Sequence, residues 1–339
     1  MGTTCSSLDV LLKEAFHSYR QGLLRLPTFS FPFRNLSTIL FLNSLERIAL
    51  KERVELHRLS SACKEGLDAA RQGQLEAASC HFERAQVHLD AMAKGGRLAW
   101  LLGVSTYQAG IAYLDFKNGF PEESRRRLDW AMDANLELEL SGLLFMQVRR
   151  IQQGHNLARM DFLLSRRSIA IELAGDLVAY MEGRIHKLNY HCDWRPKFLQ
   201  KVPKDSLRFL IREVVGETAG RIVTGGSSEE EWRILIGASR LCQSPDATIF
   251  PQAQYALLAQ SKRLSDKPED YLYNLNRFFG IGIRHCHLLW YAIMVEFVNF
   301  CGEMDTDYSR QIQEVIKRDS LKWKEFPLFF RAPLMGTEI

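Results

Sequence analysis

Apolar residues recur at three- and four-residue steps along most of the chain, which is the period of an amphipathic helix. The first such run covers residues 7–24, and its apolar face consists of Leu8, Leu11, Leu12, Ala15, Phe16, Tyr19 and Leu23. No segment alternates apolar and polar residues for long enough to predict a β-sheet. The pattern therefore predicts an all-α fold.

Further helices are predicted between the glycines and prolines that interrupt the pattern. Pro121 is typical of a first helical turn, and Ser228 followed by Glu231 is typical of a capping box. The predicted helices after the first one cover residues 44–72, 74–93, 97–117, 121–138, 141–152, 155–189, 204–222, 228–242, 249–264, 268–279, 283–302 and 306–322.

The segment after the first helix has a different pattern. Pro27 and Pro32 prevent a helix there, and Phe29, Phe31 and Phe33 alternate as in an extended chain. We expect these rings to pack into a groove of the main body; the alternative is a linear motif offered to a partner.

The length of 339 residues corresponds to about two domains, at about 150 residues per domain. The predicted organisation starts with a helix and extended segment over residues 1–34 and a repeat-like helical region over 35–190. This region is followed by a basic linker over residues 191–205 and by a helical bundle with an apolar tail over residues 206–339.

Within the repeat-like region, small and large residues follow a fixed order. The first copy contains Gly66, Ala69, Gly73, Ala78, Phe82 and Ala85, and the second contains Ala112, Gly119, Ser124, Leu128 and Ala131. Two helices pack closely only where small residues lie at their crossing, and a glycine lets the chain turn through a positive φ angle. A third copy is suggested around Gly154, although Arg159 and Arg166 occupy its small positions.

These copies resemble the tetratricopeptide repeat over residues 62–139, without the family's Trp, Tyr and Pro marks. Gly73 and Gly119 lie 46 residues apart (119 − 73), longer than the usual repeat of about 34. The resemblance implies an α-solenoid of helical hairpins whose concave face binds a peptide or a helix. A generic helical-hairpin protein is the alternative.

The composition indicates a folded chain, because 46% of its residues are hydrophobic and its formal net charge is only +4. Seven cysteines without a CxxC pair, and no signal-peptide pattern, predict a cytoplasmic protein. The most apolar stretch, residues 288–300, is shorter than the about 20 residues of a membrane span, so no transmembrane segment is predicted.

The N-terminus matches the pattern for myristoylation at Gly2, with Cys5 available for a palmitate. Two lipids would make the protein a peripheral membrane protein, since one myristoyl chain anchors only weakly. The alternative is a chance match.

Two groups of basic residues are candidate partner sites. Arg125, Arg126 and Arg127 form a cationic cluster that either binds acidic groups or is neutralised by neighbouring carboxylates. Residues 184–212 contain eight basic and two acidic residues, interleaved with Tyr190, Trp194, Phe198 and Phe209. Such a stretch suits a nucleic acid or an anionic lipid surface; the alternative is a solvated linker. Its candidate binding residues are Arg195, Lys197, Lys201, Lys204 and Arg208.

Catalytic motifs are absent from the sequence, and no cofactor is predicted. His285 and His287 would point roughly 200° apart on a helix and cannot share one ion, so no metal site is predicted. An enzyme whose site lies between the two halves, with His186, His191, Arg195 and His285, stays open as an alternative.

The sequence therefore predicts a non-catalytic adaptor that binds a peptide or helix of a partner protein in a helical groove. An all-α enzyme and a nucleic-acid-associated factor are the alternatives.

Overall fold

The structure is a computed structural model, and its described residues are 7–24, 45–188, 190, 194, 199–226, 228–243, 248–283, 286–321 and 327–335. Within these ranges it contains fourteen α-helices and a short 3₁₀ turn, with no β-strand. The prediction of an all-α fold is confirmed. The extended segment with Phe29, Phe31 and Phe33 lies outside the described residues.

The described helices belong to two compact units. The central unit includes residues 45–170 and the described part of 186–203. Its helices are α2 (Leu50–Arg71), α3 (Leu75–Met92), α4 (Arg97–Lys117), α5 (Pro121–Leu140) and α6 (Met146–Leu163). The next helix, α7 (Arg167–Met181), begins in this unit and continues into the other.

The central unit is built from helical hairpins. Helix α2 pairs with α3, α4 pairs with α5, and α2 also packs along α4. A Cβ atom on Gly66 or Gly110 would lie only 2.8 or 2.9 Å from the ring of Phe82, so both glycines let their helices approach this buried side chain. Of the residues in the predicted small–large pattern, Gly66 and Phe82 thus contact each other.

Four turns of the central unit place a residue in the left-handed region, at Gly73 (φ 78°), Gly119 (φ 82°), Gly142 (φ 91°) and Ser165 (φ 60°). Gly73, Gly119 and Ser165 are spaced by 46 residues each (119 − 73 and 165 − 119). The predicted helix end at residue 152 and the predicted helix over 155–189 are wrong, because α6 continues through Gly154 and ends at Leu163. The turn after α6 falls on a serine, and a serine does not mark a helix end in the sequence.

Replacing Ser165 by Gly should raise the free energy of unfolding by about 0.5–1 kcal/mol, because a left-handed conformation is strained for every residue except glycine. Ser165 is exposed, so the change reports on the backbone alone. Urea unfolding of S165G and S165A measures it. The turn as described is contradicted if S165G is no more stable than S165A.

The C-terminal unit includes α1 (Ser7–Leu23) and the chain from residue 204 onward, together with residues 171–185. Its later helices are α8 (Lys204–Thr224), α9 (Glu229–Ser239), α10 (Pro251–Arg263), α11 (Pro268–Ile281), α12 (His287–Met304), α13 (Asp307–Ser320) and α14 (Arg331–Met335). Helix α1 packs along α11, and Tyr19 stacks on Trp290 in an aromatic core. The two units thus divide the chain at other residues than the predicted domain boundaries.

Two further sequence predictions concern the capping box at Ser228 and the length of the apolar helices. Ser228 does precede α9, but its side chain makes no capping hydrogen bond. Among the described residues, none of the helices has the length and apolar character needed to cross a membrane.

Candidate functional site

Helix α6 of the central unit is polar and mostly buried. None of residues 146–162 is fully exposed, and the half-buried residues Arg149, Gln152, Asn156 and Arg159 follow one another at three- and four-residue steps on one face. Its polar side chains are Gln147, Arg149, Arg150, Gln152, Gln153, His155, Asn156, Arg159 and Asp161. Buried polar groups need partners, so the contacts of this helix indicate whether it is structural or binds something else.

Two charged residues of α6 are neutralised inside the unit. Arg150 and Glu139 of α5 form an ion pair at 3.0 Å (Nη1 to Oε2), and neither side chain is exposed to solvent. Asp161 accepts a hydrogen bond from Arg125 of α5, which raises the pKa of Arg125. These pairs hold α5 against α6.

The amides of α6 form a short chain of hydrogen bonds along the helix. Asn156 Nδ2 donates to Gln153 Oε1 at 3.1 Å, and Arg159 Nη1 donates to Asn156 Oδ1 at 2.8 Å. Gln147 and His155 also have partners.

Arg149 and Gln152 differ from the rest of α6. Neither makes a hydrogen bond or an ion pair with another described residue, and both are half-buried. They lie three residues apart, so both side chains are on the same face of the helix. We take this face of α6, defined by Arg149, Gln152 and Asn156, as the candidate binding face.

The predicted cationic cluster on α5 is neutralised within the central unit. Arg126 binds Glu123 through two hydrogen bonds of 2.6 and 2.8 Å. Arg127 pairs with Asp115 and donates to Gln108 Oε1 at 3.0 Å. Arg125 pairs with Asp161, so each of the three arginines has an acidic residue of the same unit beside it. That these arginines bind another molecule stays a prediction.

Two aromatic residues of the basic stretch contact arginines of the same unit. The guanidinium carbon of Arg150 lies 4.3 Å from the centre of the Trp194 ring, and Trp194 Nε1 donates to the carbonyl of Tyr190 at 2.8 Å. Tyr190 donates to Asp129 and lies 5.7 Å from Arg125. Its pKa is raised by burial and by this hydrogen bond. Both rings thus help cover the α5 and α6 pair.

The remaining candidate residues fall into two groups. His186, Lys201, Lys204 and Arg208 are exposed, and Arg208 pairs with Asp205 at 2.6 Å. The candidates outside the described residues are Gly2, Cys5, His191, Arg195, Lys197 and His285. Among the residues that the structure describes, no group of His, Cys, Asp or Glu could hold a metal ion.

A second buried charge cluster lies in the C-terminal unit. Glu296 of α12 accepts a hydrogen bond from Trp232 Nε1 at 3.1 Å and pairs with Arg263. Burial raises the pKa of Glu296. Arg263 also pairs with Glu303, so the cluster links α9, α10 and α12 through satisfied contacts. This arrangement is typical of a structural network.

The candidate binding face on α6 was not predicted from the sequence. The signal was the string from Arg149 to Asn156, in which only Ile151 and Gly154 are not polar. Such a string normally indicates a solvated helix, and only the tertiary structure shows that most of this one is buried. Comparison of the chain with protein-family models, curated proteins and solved structures finds no match.

Proposed function

We propose that the protein is a non-catalytic adaptor whose central unit binds a peptide or helix of a partner protein along the binding face of α6. The observation that carries the proposal is a mostly buried helix with nine polar residues, in which Arg149 and Gln152 have no partner among the described residues. Both side chains are half-buried on one face, so they can bind a ligand without first breaking a contact within the unit.

The arrangement of the hairpins supports the same function. Helix α2 packs along α4, whereas α6 packs against α5 and has no comparable contact with α4 in the described structure. Helix α4 therefore covers α2 but does not cover the polar face of α6. Arrays of helical hairpins use the inner faces of such helices to bind extended segments, and this resemblance favours a peptide or helix as the partner.

A peptide library displayed on phage and selected on the full chain tests this function. We expect enriched peptides that bind the wild-type protein, and roughly three- to ten-fold weaker binding to Q152A because one hydrogen bond is lost. Fluorescence anisotropy measures the affinity, and Q72A is the matched control because Gln72 is exposed in the α2–α3 turn.

Two results would contradict the proposal. One is a selection that enriches no peptide over an unrelated helical protein. The other is a set of peptides that bind Q152A as tightly as Q72A. The cytoplasmic location, acylation at Gly2 and Cys5, and the nucleic-acid and enzyme alternatives stay predictions.

A further inference from the structure

Arg149 is a positive charge that the central unit does not neutralise. Its neighbour Arg150 pairs with Glu139, but Arg149 has no hydrogen bond and no carboxylate partner among the described residues. Burial lowers the pKa of Arg149, yet an arginine remains protonated at neutral pH.

The titratable group that affects the pKa of Arg149 is the thiol of Cys63, and no carboxylate of the described residues does so. Cys63 of α2 is buried, and burial raises its pKa to about 12. The thiol is therefore protonated at neutral pH and supplies no counter-charge. Gly110 of α4 lies beside Cys63, since a Cβ on Gly110 would be 3.8 Å from the Cys63 Cβ.

The helix places an amide donor next to this charge. Gln152 follows Arg149 by three residues, is half-buried as Arg149 is, and has no described partner for its amide. A guanidinium offers forked N–H donors that match the two oxygens of a carboxylate, and one amide N–H beside it adds a third donor.

We propose that Arg149 and Gln152 bind one carboxylate of the partner's segment. This inference rests on the proposed function, and it identifies an acidic residue as the group by which the partner's segment binds α6. A carboxylate fits better than a phosphate, because a dianionic phosphate calls for further cations. The nearby arginines already have partners: Arg150 pairs with Glu139, Arg125 pairs with Asp161, and Arg159 donates to Asn156.

The first arm of the experiment probes Arg149 in the full chain without any partner. Phenylglyoxal modifies arginines, and peptide mass spectrometry follows each site separately. We expect sodium acetate to slow the modification of Arg149 at least two-fold relative to sodium chloride at equal ionic strength. Arg126 is the internal control, since it is exposed and bound to Glu123. The site is overturned if acetate slows neither residue or both equally, or if inorganic phosphate protects Arg149 and acetate does not.

The second arm uses the peptides selected on the wild-type chain. We expect them to contain an Asp or Glu whose change to Asn or Gln weakens binding to the wild-type protein about ten-fold or more. Changing this acidic residue of the peptide should have no effect on the affinity for R149M. The same change should weaken binding to R126M as much as binding to the wild type. Circular dichroism and urea unfolding check that R149M folds, which we expect because Arg149 forms no pair in the described structure.

The two proposals fail in different ways. Peptides that lack an acidic residue, or that bind R149M as well as the wild type, overturn the carboxylate site and leave the adaptor function standing. Protection of Arg149 by acetate without any peptide binder supports the carboxylate site and contradicts the adaptor function.

Discussion

Replacing Arg150 by Met should lower the free energy of unfolding by about 3–5 kcal/mol, because it leaves the carboxylate of Glu139 buried without its cation. Both side chains of this pair are fully buried, and the Trp194 ring lies over the guanidinium. A methionine keeps most of the length of the arginine, so the loss reports on the charge and its hydrogen bonds. Urea unfolding followed by circular dichroism measures the change.

The control for this variant is a double substitution. Arg150→Met combined with Glu139→Leu removes both charges, and we expect it to recover most of the loss, as apolar groups can replace a buried ion pair. R126M should leave the stability unchanged, because its pair with Glu123 is on the surface. If R150M is as stable as R126M, the buried pair between α5 and α6 is not present in solution.

Replacing Phe82 by Ala should cost about 3–5 kcal/mol, because it removes a fully buried ring at the point where three helices meet. Phe82 of α3 lies against Gly66 of α2 and Gly110 of α4, and its ring packs edge-on against Tyr107 at 6.3 Å. The two glycines have no side chain that could refill the space, so a cavity should remain.

Matched variants separate the ring from the helix in which it lies. Phe82→Leu keeps much of the volume and should cost about 1.5 kcal/mol at most. Val87→Ala is a truncation on the same helix, and we expect a change within about 0.5 kcal/mol because Val87 is 66% exposed. A cost for F82A no larger than that for V87A would show that the hairpins do not pack around Phe82.

Much of the fold could be predicted because it depends on local sequence. Gly73 and Gly119 end α2 and α4, and their missing side chains permit the positive φ angles that the structure shows. The order of small and large residues likewise predicted close helix crossings, and Gly66 and Phe82 contact each other at one of them. The end of α6 could not be predicted, since Ser165 takes the same conformation with no glycine to indicate it, and Gly154 suggested a break where the helix continues.

The candidate site could not be predicted because it depends on contacts between distant residues. Arg150 and Glu139 are eleven residues apart on different helices, and a sequence does not show that their side chains meet in the interior. For the same reason, no sequence pattern distinguishes Arg149, which lacks a partner among the described residues, from Arg125–Arg127, which have acidic partners. Tyr190 and Trp194 also contact arginines of the unit, although their interleaving with basic residues also suits a nucleic acid or an anionic lipid surface.

The polar face of α6 is the proposed binding face, and hydrogen exchange with and without a selected peptide tests this most directly. We expect bound peptide to slow amide exchange in α6 (Met146–Leu163), with little change in α3 (Leu75–Met92). Protection confined to the C-terminal unit, or none in α6 at saturating peptide, would contradict the account.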